Sequence, residues 1–284
     1  MLVSVHDHGD VTRVVLASPM SRFVGYMASV YVVDAPGGRV LVDTGPPFAR
    51  RALRQFLAEL GAGRVARAVR GAAITHWHED HAGNVALLAR AGVPLAMARA
   101  TRAALATVAP LGAYRRYTWG VPERLQHDAA TFDPVPLVLV PTPGHTSDHH
   151  AVWDAERETV FAGDLFLGVK VRVAHPTEDP RALARSLRTI AALRPRRLFD
   201  AHRGPVADPV TALQSKAAWL DDTVGEVDRL LDAGWPTARI RDAVLGAETA
   251  VGYLSFGEYS RAAFVRAVRR TRTPSATRSF ASDP

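Results

Sequence analysis

The chain opens in short apolar runs rich in β-branched residues, a pattern that predicts strands rather than helices. Val11-Thr12-Arg13-Val14-Val15-Leu16 predicts one strand and Ser29-Val30-Tyr31-Val32-Val33-Asp34 a second. The turn Ala35-Pro36-Gly37-Gly38 then leads, as a hairpin, into Arg39-Val40-Leu41-Val42-Asp43. From Phe48 to Leu60 the apolar positions move to helical spacing, with Phe56, Leu57 and Leu60 as contacts and Gly61 as the stop. Gly71-Ala72-Ala73-Ile74 reads as a short buried strand, and Ala82 to Ala91 as a helix ended by Gly92. Pro94 to Ala98 follows as a strand and Ala100 to Ala109 as a helix stopped at Pro110. Tyr114 to Gly120 shows neither period and is read as irregular.

The second half repeats the alternation and then leaves it. Leu137-Val138-Leu139-Val140 is a strand, followed by the stiff turn Pro141-Thr142-Pro143-Gly144-His145-Thr146. His150 to Asp154 and Thr159 to Ala162 form a hairpin across Ala155-Glu156-Arg157-Glu158. Asp179 to Ala192 is a helix with Leu183, Leu187, Ile190 and Leu193 on one face, and Arg197 to Ala201 is a last strand. Beyond it the pattern is helical only. Pro209 to Leu231 carries Leu213, Ala217, Leu220, Val224, Val227 and Leu231, and a second helix restarts at Trp235-Pro236-Thr237 and ends at Gly246. Ser255-Phe256-Gly257-Glu258 reads as a capping box opening a third helix to about Arg270.

The densest chemistry lies at Thr75-His76-Trp77-His78-Glu79-Asp80-His81-Ala82-Gly83-Asn84, where a strand turns into a helix. In an extended segment His76 and His78 point the same way. Asp80 and His81 then fall at the helix entrance, where an Asp also serves as a cap. Two ligand-type residues on each of two adjoining segments suit a double-sided metal site; the plainer alternative is histidines that cap or face solvent. Tyr114, Arg115, Arg116, Tyr117 and Trp119 alternate rings with cations, and read either as a clamp for a phosphate or acyl chain or as arginine stems packed on rings.

Composition narrows these readings. The chain has 284 residues, 48% of them hydrophobic and 22% charged, enough for one large domain or a large one with a small appendage. It holds no cysteine, so disulfides and thiolate ligands are both ruled out and any metal rests on His, Asp or Glu. A net charge of +7, from 35 basic and 28 acidic residues, suits anionic substrates but equally reflects an arginine-rich composition, since only Lys170 and Lys216 are lysines. Met1 to Asp10 lacks the cationic and apolar regions of a signal peptide, and no run approaches the ~18 apolar residues of a membrane span. A soluble, cytoplasmic protein is the expectation.

Five motifs in order resemble the metallo-β-lactamase fold superfamily: Val40-Leu41-Val42-Asp43-Thr44-Gly45, the histidine loop, Pro143-Gly144-His145-Thr146, Phe161-Ala162-Gly163-Asp164, and His202-Arg203-Gly204-Pro205. The resemblance implies an α/β fold, a four-layer αββα sandwich of two mixed β-sheets. It is carried by residues 1–208, with a small helical module at 209–272 and a flexible tail at 273–284. It also implies His76, His78 and His145 on one metal ion, Asp80, His81 and His202 on another, and Asp164 between them. Asp43 would stand behind the loop, although an Asx turn ending its strand explains it as well. His149 and His150 read as strand and support residues. The implied cofactors are two divalent ions, zinc first and manganese or iron(II) as alternatives.

Departures limit the activity. Without cysteine the chain is unlike the β-lactamases with a cysteine ligand. His78 stands where diiron flavoproteins of this fold use Glu, and Leu167 where acyl-homoserine lactonases place a tyrosine. The His202 segment lacks the Cys-Gly-His-Glu-Tyr context of glyoxalase II. The expected activity is a hydrolase whose metal-bound hydroxide attacks an ester, thioester or lactone, with Asp80 as the catalytic carboxylate. The alternatives are a phosphodiesterase acting on RNA or nucleotides and a non-catalytic metal-dependent binding protein. A small-molecule substrate, anionic if the arginines serve it, is the expected partner; nucleic acid and a homodimer stay open.

Overall fold

The computed structural model describes residues 1–126 and 129–272, so the tail expected at 273–284 lies outside the described residues. One sheet runs in sequence order through β1 (Leu2–Asp7), β2 (Val11–Leu16), β3 (Ala28–Val33), β4 (Val40–Val42), β5 (Gly71–Ala73) and β6 (Leu95–Ala96). It is antiparallel from β1 to β4 and parallel from β4 to β6. The other holds β7 (Leu137–Pro141), β8 (His150–Asp154), β9 (Thr159–Phe161), β10 (Arg197–Asp200) and β11 (Gly204–Pro205), with β9 and β10 its parallel pair. The helices are α1 (Pro19–Phe23), α2 (Arg50–Leu60), α3 (Val65–Ala68), α4 (Glu79–Ala82), α5 (Val85–Arg90), α6 (Arg99–Thr107), α7 (Ala113–Thr118), α8 (Pro180–Ala192), α9 (Pro209–Asp232), α10 (Thr237–Val244), α11 (Ala250–Leu254) and α12 (Arg261–Arg270).

Strand alternation sorts the core into three layers of contact. Tyr31, Val33, Val40, Val42 and Ala73 face inward and meet Leu137, Val152, Phe161 and Phe199 of the other sheet. Their neighbours Val30, Val32 and Leu41 face outward onto Leu53 and Leu57 of α2, Val85 and Leu88 of α5, and Leu105 of α6. On the far side Ala151, Val160 and Leu198 take Leu183, Leu187 and Ile190 of α8, and behind them Leu213, Leu220 and Phe264 of the C-terminal helices. This is the expected αββα sandwich with C-terminal helices. A division at 208/209 is our proposal; α9 and α8 share one continuous apolar cluster across it.

Several local expectations are corrected. Tyr114 to Gly120 is not irregular: Ala113–Thr118 is helix α7. The helix expected at Ala82 to Ala91 is broken at Gly83-Asn84. There the Asn84 amide donates to the carbonyls of Thr44, Gly45 and Pro46 at 2.8–3.0 Å instead of leaving the backbone a smooth course. The capping box at Ser255 does not form. Phe256 (φ 52°) and Gly257 (φ 82°) leave the helical region, Ser255 Oγ accepts the Tyr259 N–H at 2.9 Å, and α12 begins only at Arg261 behind Ser260. The short elements α1, α3, α11 and β11 were not foreseen, nor was β1, an edge strand whose Leu2 and Val5 stay 41% and 46% exposed and so carry no burial pattern.

Candidate metal centre

The ends of β4 and β5, adjacent and parallel, bring Asp43 under the histidine loop. Asp43 sits at φ 60°, a strained conformation for a non-glycine residue, and its carboxylate takes everything offered to it. It accepts the Thr75 N–H at 2.8 Å, the Thr75 hydroxyl at 2.9 Å and the His81 Nδ1–H at 2.8 Å. Thr75 has one hydroxyl proton, given to Asp43, so its oxygen accepts from His76 Nδ1–H at 3.0 Å. Each of these contacts engages Nδ1, orienting the ring and leaving Nε2 of His76 and His81 as the nitrogen free for a ligand role. His202 is set the same way by the Met27 carbonyl at 2.8 Å.

The second sheet supplies the facing wall. Gly144 permits the turn before His145, because a Cβ there would come within 2.4 Å of the Leu183 backbone. Gly163 (φ 50°) does so before Asp164, where a Cβ would lie 2.7 Å from His149 Nε2. His149 is a support: Asp164 N–H donates to its Nε2 at 3.1 Å while Thr142 Oγ1 meets its Nδ1 at 2.8 Å. His150 is half-buried, with Nδ1 on the Asp148 carbonyl at 2.8 Å. The Asp148 carboxylate accepts from Trp77 N–H and the Thr101 hydroxyl.

The structure thus brings the seven expected side chains together. Ligand atoms of His76, His78, His145 and Asp164 lie within 4.8 Å of one another, as do those of Asp80, His81 and His202. Asp164 spans the two groups: Oδ1 lies 3.1 Å from Nε2 of both His81 and His202, and Oδ2 lies 3.3 Å from His145 Nε2. Asp80 Oδ2 stands 3.8 Å from the same His81 and His202 nitrogens. The donor set fits divalent metal. Nε2 of His76 is buried with no hydrogen-bond partner, a costly arrangement for a polar atom unless something else binds it, and His78 Nδ1 crowds to 2.9 Å from His145 Nε2.

The electrostatics agree. Burial, with the neighbouring imidazoles, pushes His76 and His78 well below the usual histidine range, so both are neutral and ready to ligate. Burial is the largest influence against charge on His81, His145 and His202, but the surrounding carboxylates together, Asp164 foremost with Asp80, Asp43 or Glu178, outweigh it and raise all three. Asp164 would itself be raised by burial, yet those imidazoles hold it well below the carboxylate range. A metal entering here displaces protons from histidine.

The residues expected to clamp substrate separate. Arg115 is corrected: its guanidinium is buried, its Nε donates to Glu79 Oε1 at 2.7 Å and Nη2 meets Glu79 Oε2, while the cation lies 5.1 Å from the Trp77 ring centroid. Its charge is already paired, so it does not face an anionic substrate. Arg116 and Tyr117 are exposed, Tyr114 is half-buried with its ring 5.8 Å from Tyr259, and Trp119 is buried. Sequence reasoning missed Glu79, Glu178, Tyr26 and Lys216. Glu178 lies 3.3 Å from His145 Nδ1. Tyr26 stacks on His202 at 4.1 Å. Lys216, on α9, is buried, donates to the Leu165 carbonyl at 3.0 Å, and burial lowers its ammonium to about 8. Glu79 lies within the histidine loop itself, while Glu178, Tyr26 and Lys216 have no local motif and each reaches the site from a distant segment.

Comparison with known proteins gives three kinds of match. A family profile described as Metallo-beta-lactamase superfamily matches residues 24–202. The chain is 29% identical over 208 residues to "Beta-lactamase-like protein 2 homolog" of Caenorhabditis elegans, covering 70% of this chain and 63% of that protein. It is 30% identical over 170 residues to "Atrochrysone carboxyl ACP thioesterase" of Aspergillus fumigatus, covering 58% of this chain and 47% of that one. The chain therefore spans about half to two thirds of these relatives' length. Among solved structures, a metallo-beta-lactamase family protein of Thermus thermophilus superposes with a TM-score of 0.63 at 21% identity, over 91% of both chains.

Proposed function

Because this chain belongs to the metallo-beta-lactamase superfamily, we propose that it is a hydrolase that cleaves acyl thioesters and related esters at a dinuclear divalent-metal centre. The observation that carries the reading is the carboxylate of Asp164, whose two oxygens reach two separate sets of imidazoles. His76, His78 and His145 would hold one ion and Asp80, His81 and His202 the other, with Asp164 shared. Zinc is the ion proposed, manganese or iron(II) the substitutes. Two such ions lower the pKa of a shared water and polarise the substrate oxygen.

The chain's own residues do the rest. Asp43, Thr75 and the Met27 carbonyl each engage an Nδ1, which orients the rings of His76, His81 and His202 and leaves Nε2 of each as the nitrogen that would take a metal. Asp80, almost fully buried and 3.8 Å from two of those nitrogens, orients the attacking water and takes its proton. The preference for thioesters over phosphodiesters is supported by the relatives named thioesterases and by Arg115, which Glu79 has neutralised.

A panel of p-nitrophenyl esters, thioesters, lactones and bis(p-nitrophenyl) phosphate, run with zinc-loaded protein, tests this. We expect the highest kcat/KM on thioesters, abolished by chelator and restored by zinc. Cleavage confined to the phosphodiester would replace the reading with the phosphodiesterase one.

A further inference from the structure

Two rings flank the His202 side of the cluster. Tyr26 lies nearly parallel to His202, centroids 4.1 Å apart and planes 19° apart, and Trp119 stands tilted 6.0 Å away. The segment that carries Tyr26 is fastened at both ends. Tyr26 N–H donates to the Ser21 carbonyl at 2.8 Å, and α1 beside it is closed by the reciprocal Ser18–Ser21 cap. The next carbonyl, Met27, is the one that accepts the His202 Nδ1–H.

Tyr26 is thus held through its backbone and its stack on His202, while its polar end serves nothing in the fold. The residue is 38% exposed and its hydroxyl has no hydrogen-bond partner among the described residues. An apolar ring would stack on His202 equally well. A phenol stacked on a ligand-type imidazole, with no acceptor of its own in the fold, is a donor that a substrate bound at the centre could use.

We propose that Tyr26 is a catalytic residue of this centre, its O–H donating a hydrogen bond to the acyl oxygen of the bound substrate and to the carboxylate of the product. The proposal rests on the thioester reading above. As the water oxygen bonds to the acyl carbon, the C=O π pair moves onto the acyl oxygen, and the phenol hydrogen bond strengthens with that charge. When the π bond re-forms, the C–S bond breaks and the thiolate departs with the proton that the water gave up. Tyr26 keeps its own proton throughout. One such donor is worth roughly a hundredfold or more in rate where it acts alone. Beside metal ions that share the load we expect about ten- to a hundredfold.

Tyr26→Phe separates the two roles of the residue, since it keeps the stack on His202 and removes only the hydroxyl. In zinc-loaded protein we expect kcat on a p-nitrophenyl thioester to fall about ten- to a hundredfold with KM within about twofold. The affinity for phenylacetate, a product-like carboxylate measured by calorimetry, should weaken about tenfold or more, the scale of one hydrogen bond to a charged group. Zinc content should match the wild type. Unchanged kcat would overturn the catalytic role even if phenylacetate affinity fell, and unchanged affinity as well would reduce Tyr26 to packing. Should the wild type cleave no thioester while the affinity difference persists, the thioester reading falls and the hydrogen bond from Tyr26 to a carboxylate stands.

Discussion

Arg115 and Glu79 show how a charge can be built into this site without touching substrate. Both side chains are almost wholly buried, and two nitrogens of the guanidinium meet two oxygens of the carboxylate. Removing one partner leaves the other charged and buried, which typically costs about 3–5 kcal/mol. Arg115→Met should therefore lower stability by that order in a urea titration, and Glu79→Gln added to it should restore part of the loss. A change under about 1 kcal/mol would mean the pair is already solvated. The histidines and Asp80 are legible in the sequence because six consecutive positions carry them. The Glu79–Arg115 pair is not, because its partners lie 36 residues apart and meet only when α7 folds over the loop. Asp43 stood open between an Asx turn and a support role. Its contacts with Thr75 and His81 answer that, since a turn would have spent the carboxylate on its own backbone.

At the scale of elements, the strands and long helices follow the hydrophobic pattern to within a residue or two, while the short pieces around the site do not. Leu53, Leu57, Leu183, Leu187 and Ile190 repeat at helical spacing because each must reach one sheet face. Helix α7 has no such face to advertise: of its six residues only Arg115 and Thr118 are buried, so its sequence looks irregular. The Ser255 to Glu258 segment satisfies the capping pattern but is diverted, with Glu258 3.3 Å from His175 Nε2 instead of at a helix start. The turns into the site depend on small residues. Gly144, at φ 146°, carries His145 past α8, and Gly144→Ala would drive a Cβ into the Leu183 backbone. Neither the turn nor the helix can yield without moving its layer. We expect Gly144→Ala to cost more than about 2 kcal/mol in the urea midpoint and to weaken zinc binding. A wild-type midpoint would show that the turn relaxes freely.

For the whole molecule, two sheets converge their strand ends on one centre, and the C-terminal helices close its far side. No helix among the described residues is long and apolar enough to cross a membrane. The four layers were legible because each motif sits at a strand end in family order. The part played by α9 was not, because Lys216 reads as one more polar residue on a helix until its ammonium is found on the Leu165 carbonyl, one residue beyond Asp164. The centre is thus assembled from five segments between Asp43 and His202 and braced by a sixth. Its central claim is that these residues hold two metal ions with Asp164 between them. Calorimetric titration of chelator-treated protein with zinc tests this most directly, on the wild type and on Asp164→Asn side by side. The account predicts two equivalents of zinc per wild-type chain. In Asp164→Asn, one equivalent should be lost or weakened by on the order of a hundredfold, the scale of one strong electrostatic interaction. A single equivalent in the wild type, or two equivalents of undiminished affinity in Asp164→Asn, would contradict it.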